Sequence, residues 1–330
     1  MRVLVFSARP YDVEYLQQAN AGQHELSFTA DALSAESARL AQGYEAVCCF
    51  VDDHAPANVI AQLAEGGTRL LTLRSTGFNN VDLLAAEKNG ITVARVSRYS
   101  PYSVAEFAVA LLLTLNRKTY RAFNRTREYN FLLEGLLGFD LHGKTVGVVG
   151  TGKIGEVLCG IMQGFGCRML AYDVQQNPAC LKMGVEYLPL DELLPQCDII
   201  SLHVPLLPET RHLINAETLG KLKRGATLIN TSRGGLIDTP ALVAALRSGQ
   251  VGAAGLDVYE EEEGLYYQDL SATPTRDDVL STLLAFPNVI VTGHQAFFTH
   301  EALSTITATT IANISDFEDG RTSENVLRAK

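Results

Sequence analysis

The 330-residue chain has no tryptophan and no low-complexity tract, and its six cysteines form no C-x-x-C pair. The missing pair excludes the common zinc and dithiol motifs, which need two thiols at short spacing. Cys48, Cys49, Cys159, Cys167, Cys180 and Cys197 lie in or beside apolar patterns. They read as free thiols buried in a protein of a reducing cytoplasm, and no metal site is expected. Basic charge is also scarce: 27 Lys and Arg stand against 37 Asp and Glu, a net charge of -10. That balance disfavours nucleic acid and an anionic membrane surface as partners. An anionic small substrate stays open, because a few local arginines outweigh a global field. No apolar run is long enough to cross a bilayer; the most apolar helix pattern, Val104 to Leu115, is short and carries Glu106. The opening MRVLVFSARP is too short an apolar run for a signal peptide and reads as a first strand.

What is present is an ordinary globular composition, 47% hydrophobic and 19% charged, with length for two domains. The first hundred residues alternate short apolar runs (RVLVFSA, HELSFTA, EAVCCFV, RLLTLRS, ITVARV) with amphipathic helix patterns. A second alternating series begins at Lys144, with TVGVVG, RMLAYD, VEYLP, DIISLHVP, TLINTS, GAAGLDVY and NVIVTGH as its strands. Such alternation predicts an α/β chain of two doubly wound parallel sheets, the second long enough for the six strands of a dinucleotide domain. Between the two series one long helix is predicted, from about 103 to 129, and an apolar, glycine-broken arm spans about 116–143. The arm reads as packing on a partner subunit. A last helix is predicted from about 300 to 318; composition does not decide which domain it joins.

The stretch KTVGVVGTGKIGEVL carries G-x-G-x-x-G at Gly150, Gly152 and Gly155. The triplet closes an apolar strand and opens a helix, and Asp173 ends the next strand. Gly150 permits the tight turn, Gly152 lets the backbone approach a pyrophosphate, and Gly155 lets helix and strand pack closely. The helix N-terminus offers free N–H groups and partial positive charge to phosphates. Asp173 is placed to accept the ribose hydroxyls and repels a 2′-phosphate. The following VQQN holds no arginine, so NAD is predicted over NADP.

In doubly wound folds, ligands lie beyond the carboxyl ends of the strands. There this chain puts Arg233, after TLINTS, Glu262, after GAAGLDVY, and His294, after NVIVTG. Reducing a 2-keto acid needs a cation to hold the carboxylate, which arginine does bidentately. It also needs a proton for the carbonyl oxygen, which an imidazolium donates. A carboxylate on the other ring nitrogen fixes the tautomer and raises the imidazole pKa. Residue chemistry leaves two choices open. Glu262 stands in a run of four acids, Glu260 to Glu263, and His203, in SLHVP, ends a strand on the same rim.

GTGKIG, NTSRGGLID, GLDVYEEE and VTGHQAF together resemble the D-isomer-specific 2-hydroxyacid dehydrogenases, and LRSTGFNNVDL and RVSRYSPYSVAEFAVALLL resemble the D-lactate branch of that family. The resemblance covers essentially the whole chain. It implies Arg233 as the substrate-binding arginine, His294 as the acid/base and Glu262 as its carboxylate partner. It implies backbone groups of Thr76 and Gly77 on the substrate carboxylate, with Tyr99 and Phe297 beside the substrate side chain, where they favour a methyl group. Cofactor contacts extend to Lys153, Ile154, Val204, Pro205, Thr231, Ser232 and Asp257. The implied substrate domain is flavodoxin-like and discontinuous, 1–99 plus 299–330, with a Rossmann NAD-binding domain, 100–298, inserted in it and substrate in the cleft between them. The implied activity is reversible, NAD-dependent reduction of pyruvate to D-lactate, serving fermentative cofactor recycling in a cytoplasmic homodimer or homotetramer. Two alternatives stand: a dehydrogenase for larger aliphatic or aromatic 2-keto acids, and an NAD-sensing binding protein without turnover.

Overall fold

The computed structural model describes residues 1–262, 264–273 and 277–329. The chain divides into two units, Met1–Ser100 with Phe298 onward, and Pro101–Phe297. In chain order the first unit contributes β1 (Arg2–Val5), β2 (Glu25–Phe28), β3 (Ala46–Cys49), β4 (Leu70–Leu73) and β5 (Thr92–Ala94). The second contributes β6 (Thr145–Val149), β7 (Arg168–Tyr172), β8 (Glu186–Tyr187), β9 (Ile199–Leu202), β10 (Ala226–Asn230), β11 (Val251–Leu256) and β12 (Val289–Val291). A last short strand, β13 (Val326–Leu327), belongs to the first unit.

The first sheet runs β13-β5-β4-β3-β1-β2. Its pairs are parallel except β13 with β5, which is antiparallel. β3 and β4 are buried at every position. That is why they read as continuous apolar runs rather than alternating ones, as a strand covered on both faces must. The C-terminal helix, His300–Glu318, is capped by Thr299 Oγ1, which accepts from Ala302 N–H at 3.2 Å. It buries Ile311 and Ile314 among Val3, Val5 and Leu70. Two residues of antiparallel β13 carry no periodic signal, so pattern reasoning missed that strand.

The second sheet is parallel throughout, in the order β12-β11-β10-β9-β6-β7-β8. Its seven strands fall on the seven apolar runs read after Lys144, with VEYLP reduced to the two-residue β8. Residues Asn230, Leu256 and Val291 stand side by side at the ends of β10, β11 and β12. The segments that follow therefore leave the sheet from adjacent strands, which are about 5 Å apart.

The single helix expected from 103 to 129 is instead two, Pro101–Arg117 and Thr119–Arg127. Lys118 breaks it with a left-handed φ of 51°. The cause lies further along the chain. Asn116 accepts from Phe139 N–H (2.9 Å) and donates to the Phe139 carbonyl (2.7 Å), while Lys118 Nζ donates to the Leu137 carbonyl. Gly138 admits this close return, since a Cβ there would lie 2.6 Å from the Asn116 carbonyl oxygen. Long-range bonds to the end of the first helix thus override local helix propensity.

Candidate active site

The glycine loop connects β6 to the helix Lys153–Gly164. Gly150 has φ 96°, and its N–H donates to the Tyr172 carbonyl at 2.8 Å. A side chain there would also strike the His203 backbone at 2.7 Å. At Gly155 a Cβ would fall 2.1 Å from the Gly150 carbonyl oxygen. Gly152 differs: a Cβ would meet nothing within 4 Å, so its small size leaves open space at the start of the helix. That space lies where Lys153 and Ile154 present the first N–H groups of the helix.

Asp173 is half-buried just past β7. Its carboxylate accepts from Thr151 N–H (2.6 Å), Thr151 Oγ1 (3.1 Å) and Gln175 N–H (3.2 Å). The acid thus holds the glycine loop from the neighbouring strand. Asn177 and Tyr187, which sequence reasoning did not single out, extend the grip: Asn177 Nδ2 donates to the Thr151 carbonyl (2.8 Å) and Tyr187 OH to Thr151 Oγ1 (2.8 Å). Val204 and Pro205 follow β9, and Ser232 Oγ donates to the Val204 carbonyl at 2.6 Å. Thr231 Oγ1 is buried with no hydrogen-bond partner among the described residues. A buried hydroxyl without a partner costs free energy unless something arrives to satisfy it. The open space at Gly152 and the unsatisfied Thr231 both fit a bound dinucleotide.

Arg233 lies three residues past β10 and is half-buried, with Nη1 donating to the Ser232 carbonyl at 2.7 Å. Asn230, fully buried, shapes this turn by donating to the Arg233 carbonyl (2.9 Å) and accepting from Ser232 N–H (3.0 Å). The next residue must be glycine, because a Cβ on Gly234 would sit 2.0 Å from the Tyr259 carbonyl. The segments after β10 and β11 touch backbone to backbone at that point.

His294 adopts φ 52°, a left-handed conformation that is costly for a residue with a side chain. Its surroundings hold it there. The His294 N–H donates to the Asp257 carbonyl (2.8 Å), and Tyr267 OH donates to the His294 carbonyl (3.0 Å). Asp257 is fully buried, and its carboxylate accepts from Thr292 Oγ1 (2.6 Å), Gln295 N–H (2.9 Å) and Ala296 N–H (2.8 Å). Burial pushes the Asp257 carboxyl above its usual range, while these hydrogen bonds and the nearby His294 pull it back. In this structure Asp257 clamps the turn that carries the imidazole. Thr292 and Tyr267, unmarked in sequence, complete the clamp. Phe297 follows, half-buried, in the same unit.

The open choice among the four acids is narrowed by geometry. Glu260 Oε1 lies 2.5 Å from His212 Nε2 and accepts from Arg211 Nη2 at 3.2 Å, so it is held on another side of the loop. Glu261 is exposed, and Glu263 lies outside the described residues. Glu262 Oε1 stands 3.4 Å from His294 Nδ1, with side-chain exposures of 31% and 16%. The pair is close but not aligned as a hydrogen bond, and Nδ1 has no hydrogen-bond partner among the described residues. Its half-buried setting makes a charge pairing worth more than on an open surface. His203, the rival imidazole, pairs its Nε2 with Ser201 Oγ at 2.8 Å, and desolvation of its enclosed ring brings its pKa down to about 4. Desolvation thus disfavours the charged imidazolium at His203, the form that acts as a general acid.

In the first unit, Thr76 and Gly77 follow β4 and are half-buried, as is Tyr99. Thr76 Oγ1 donates to the Val96 carbonyl at 2.8 Å.

Residues 109–296 match the NAD binding domain of the D-isomer specific 2-hydroxyacid dehydrogenases. The chain is 52% identical to a D-lactate dehydrogenase of Curvularia clavata, covering 99% of this chain and 95% of that one. The solved structure of the pyruvate reductase of Chlamydomonas reinhardtii superimposes with a TM-score of 0.94 at 46% identity, covering 98% of each chain. The apo-structure of D-lactate dehydrogenase from Escherichia coli superimposes with a TM-score of 0.91 at 46% identity, covering 99% of this chain and 100% of that one. With the glycine loop, its aspartate and the Arg233, Glu262 and His294 rim in place, this chain belongs to the D-isomer-specific 2-hydroxyacid dehydrogenases and is an NAD-dependent oxidoreductase of D-2-hydroxy acids.

Proposed function

We propose that this enzyme reduces pyruvate to D-lactate with NADH, and runs the reverse reaction when lactate and NAD prevail. The observation that carries the reading is the His294–Glu262 pair at 3.4 Å, on the strand rim that also presents Arg233. Bound NADH supplies the hydride for the carbonyl carbon. Arg233 holds the keto-acid carboxylate and polarises the carbonyl. His294, protonated at its free ring nitrogen, donates to the developing alkoxide and takes the proton back in the oxidative direction. Glu262, 3.4 Å from Nδ1, keeps the ring turned. Thr76 and Gly77 give backbone N–H groups to the carboxylate, and Tyr99 and Phe297 crowd the substrate side chain to the size of a methyl group. Names of relatives point the same way: the two quoted above as D-lactate dehydrogenases and the one quoted as a pyruvate reductase.

A panel of keto acids assayed with NADH and NADPH tests the reading. Pyruvate is expected to give the highest kcat/KM, and NADH to exceed NADPH clearly. Phenylpyruvate or a branched keto acid performing several-fold better than pyruvate would reassign the substrate.

We further propose a homo-oligomer, at least a dimer, built on the arm at about 116–143. Tyr129, Phe131, Leu132, Leu133 and Leu137 are 64–87% exposed. So dense a set of bare apolar side chains is unusual on a soluble monomer. A cytoplasmic setting accords with the burial of all six free thiols.

A further inference from the structure

The two residues proposed to meet the substrate carboxylate in the first unit sit on peptides whose carbonyls are already taken. The Ser75 carbonyl accepts from Val96 N–H at 3.1 Å, and the Thr76 carbonyl accepts from Arg95 Nη1 at 2.9 Å. The amide N–H groups on those same two peptides are those of Thr76 and Gly77, and neither has an acceptor among the described residues. The Gly77 carbonyl in turn accepts from Ser75 Oγ at 2.8 Å. Each peptide is thus gripped at its oxygen and open at its nitrogen.

Arg95 is itself held. Its backbone N–H donates to the Asn325 carbonyl (2.9 Å), its carbonyl accepts from Asn313 Nδ2 (3.0 Å), and its guanidinium lies 5.1 Å from the centre of the Phe78 ring. A trans peptide points its N–H opposite to its C=O. A cation bound at the oxygen draws electron density from the whole amide and makes the N–H a stronger donor, as chains of hydrogen bonds do in a partly dry setting. Val96 N–H, being neutral, does this more weakly for the neighbouring peptide.

We propose that Arg95 is a positioning residue for carboxylate recognition: by binding the Thr76 carbonyl it aims and polarises the Gly77 N–H toward the substrate carboxylate. Arg95 acts through that peptide and touches neither substrate nor cofactor. The proposal rests on the reading that Thr76 and Gly77 receive the carboxylate. It adds a second cation to carboxylate binding, one half-buried behind the backbone rather than facing the ligand.

The test compares pyruvate with methyl pyruvate, the ester that lacks the negative charge, in the wild type, Arg95→Gln and Arg95→Lys. Arg95→Gln keeps a donor for the Thr76 carbonyl and removes the charge; Arg95→Lys keeps the charge. Arg95→Gln is expected to raise KM for pyruvate about tenfold with kcat within about twofold, as for loss of a hydrogen bond to a charged group. The KM for NADH should not change, and the preference for pyruvate over its ester should drop by the same factor as the pyruvate KM rises. Arg95→Lys should fall between Arg95→Gln and wild type. A purely structural arginine would lower the melting temperature and the active fraction but leave that preference alone, because the ratio does not depend on active-enzyme concentration. Wild-type preference in both variants overturns the proposal. A wild-type enzyme indifferent to the ester overturns the carboxylate reading, and the role of Arg95 with it. Should Arg95→Gln fail to fold, Phe78→Leu replaces it. That variant removes the ring under the guanidinium and is expected to cut the preference about threefold, and no change there sinks the idea equally.

Discussion

Arg74 directly follows β4 of the first sheet, and Arg233 stands three residues past β10 of the second. Both are arginines at the carboxyl edge of a parallel sheet, yet their surroundings differ. Arg74 is 2% exposed. Its Nε lies 3.2 Å from Asp12 Oδ1, and its Nη atoms donate to the carbonyls of Cys48, Phe6 and Ser7. Beside it Asp53, also buried, accepts from Ser7 Oγ, Leu33 N–H and Phe50 N–H. On the other sheet Arg233 is half-buried, and among the described residues its side chain hydrogen-bonds only its neighbour's carbonyl. The lesson is that an arginine at a strand end is no mark of function. What matters is whether its donors are already committed to the protein. Around Arg74 the Nη donors are committed to backbone carbonyls, and Nε, without a hydrogen bond among the described residues, faces Asp12 as an ion pair; around Arg233 and His294 the backbone is clamped and the side-chain ends stay available.

Breaking the functional rim should give the largest effect. His294→Ala is expected to reduce kcat by about 10²–10⁴-fold with the melting temperature little changed, read by steady-state rates and calorimetry. An active His294→Ala enzyme would remove this imidazole from the mechanism. Next comes the structural rim. Arg74→Leu leaves Asp12 as a buried carboxylate without its partner, so a loss of about 3–5 kcal/mol in denaturant unfolding is expected. Activity per folded molecule should change far less. If Arg74→Leu instead raised KM for pyruvate while staying stable, the contrast between the two arginines would collapse. Arg233→Lys reverses that pattern: stability is kept, and kcat/KM for pyruvate falls roughly 10–100-fold as charged hydrogen bonds are lost.

The smallest effect sharpens the contrast between His294 and His203. The folded protein holds the His203 pKa at about 4, below the ordinary 6.5, so the unfolded chain binds this proton first as pH falls. Stability from a neutral His203 is therefore complete above about pH 6.5 and declines as pH falls toward 4, by at most on the order of 3 kcal/mol. His203→Asn should flatten the fall of melting temperature across that window. An unchanged slope would mean that other groups carry the acid sensitivity.

Much of this was legible in order along the chain. The apolar runs at 46–49 and 70–73 announced strands buried on both faces, and Gly150, Gly152 and Gly155 announced the loop that opens the helix at Lys153. Other features depended on partners distant in sequence. The helix break at Lys118 follows from bonds to 137–139, and antiparallel β13 exists only because β5 stands open beside it. The four consecutive acids are chemically alike, and only tertiary surroundings tell three of them apart: Glu260 is captured by His212 and Arg211, Glu261 is exposed, and Glu262 stands 3.4 Å from His294 Nδ1. Tyr267 and Thr292, which pin the His294 turn, carry no signal in the residues around them.

By itself the amino-acid order determined the α/β class, the dinucleotide loop and the presence of arginine, acid and imidazole after three strands, because these rest on periodicity and on covalent neighbours. Tertiary structure alone decided which carboxylate stands by which ring, which histidine stays neutral and which arginine keeps its donors open. Those outcomes depend on burial and on the register of strands far apart in the chain, and no local pattern encodes either.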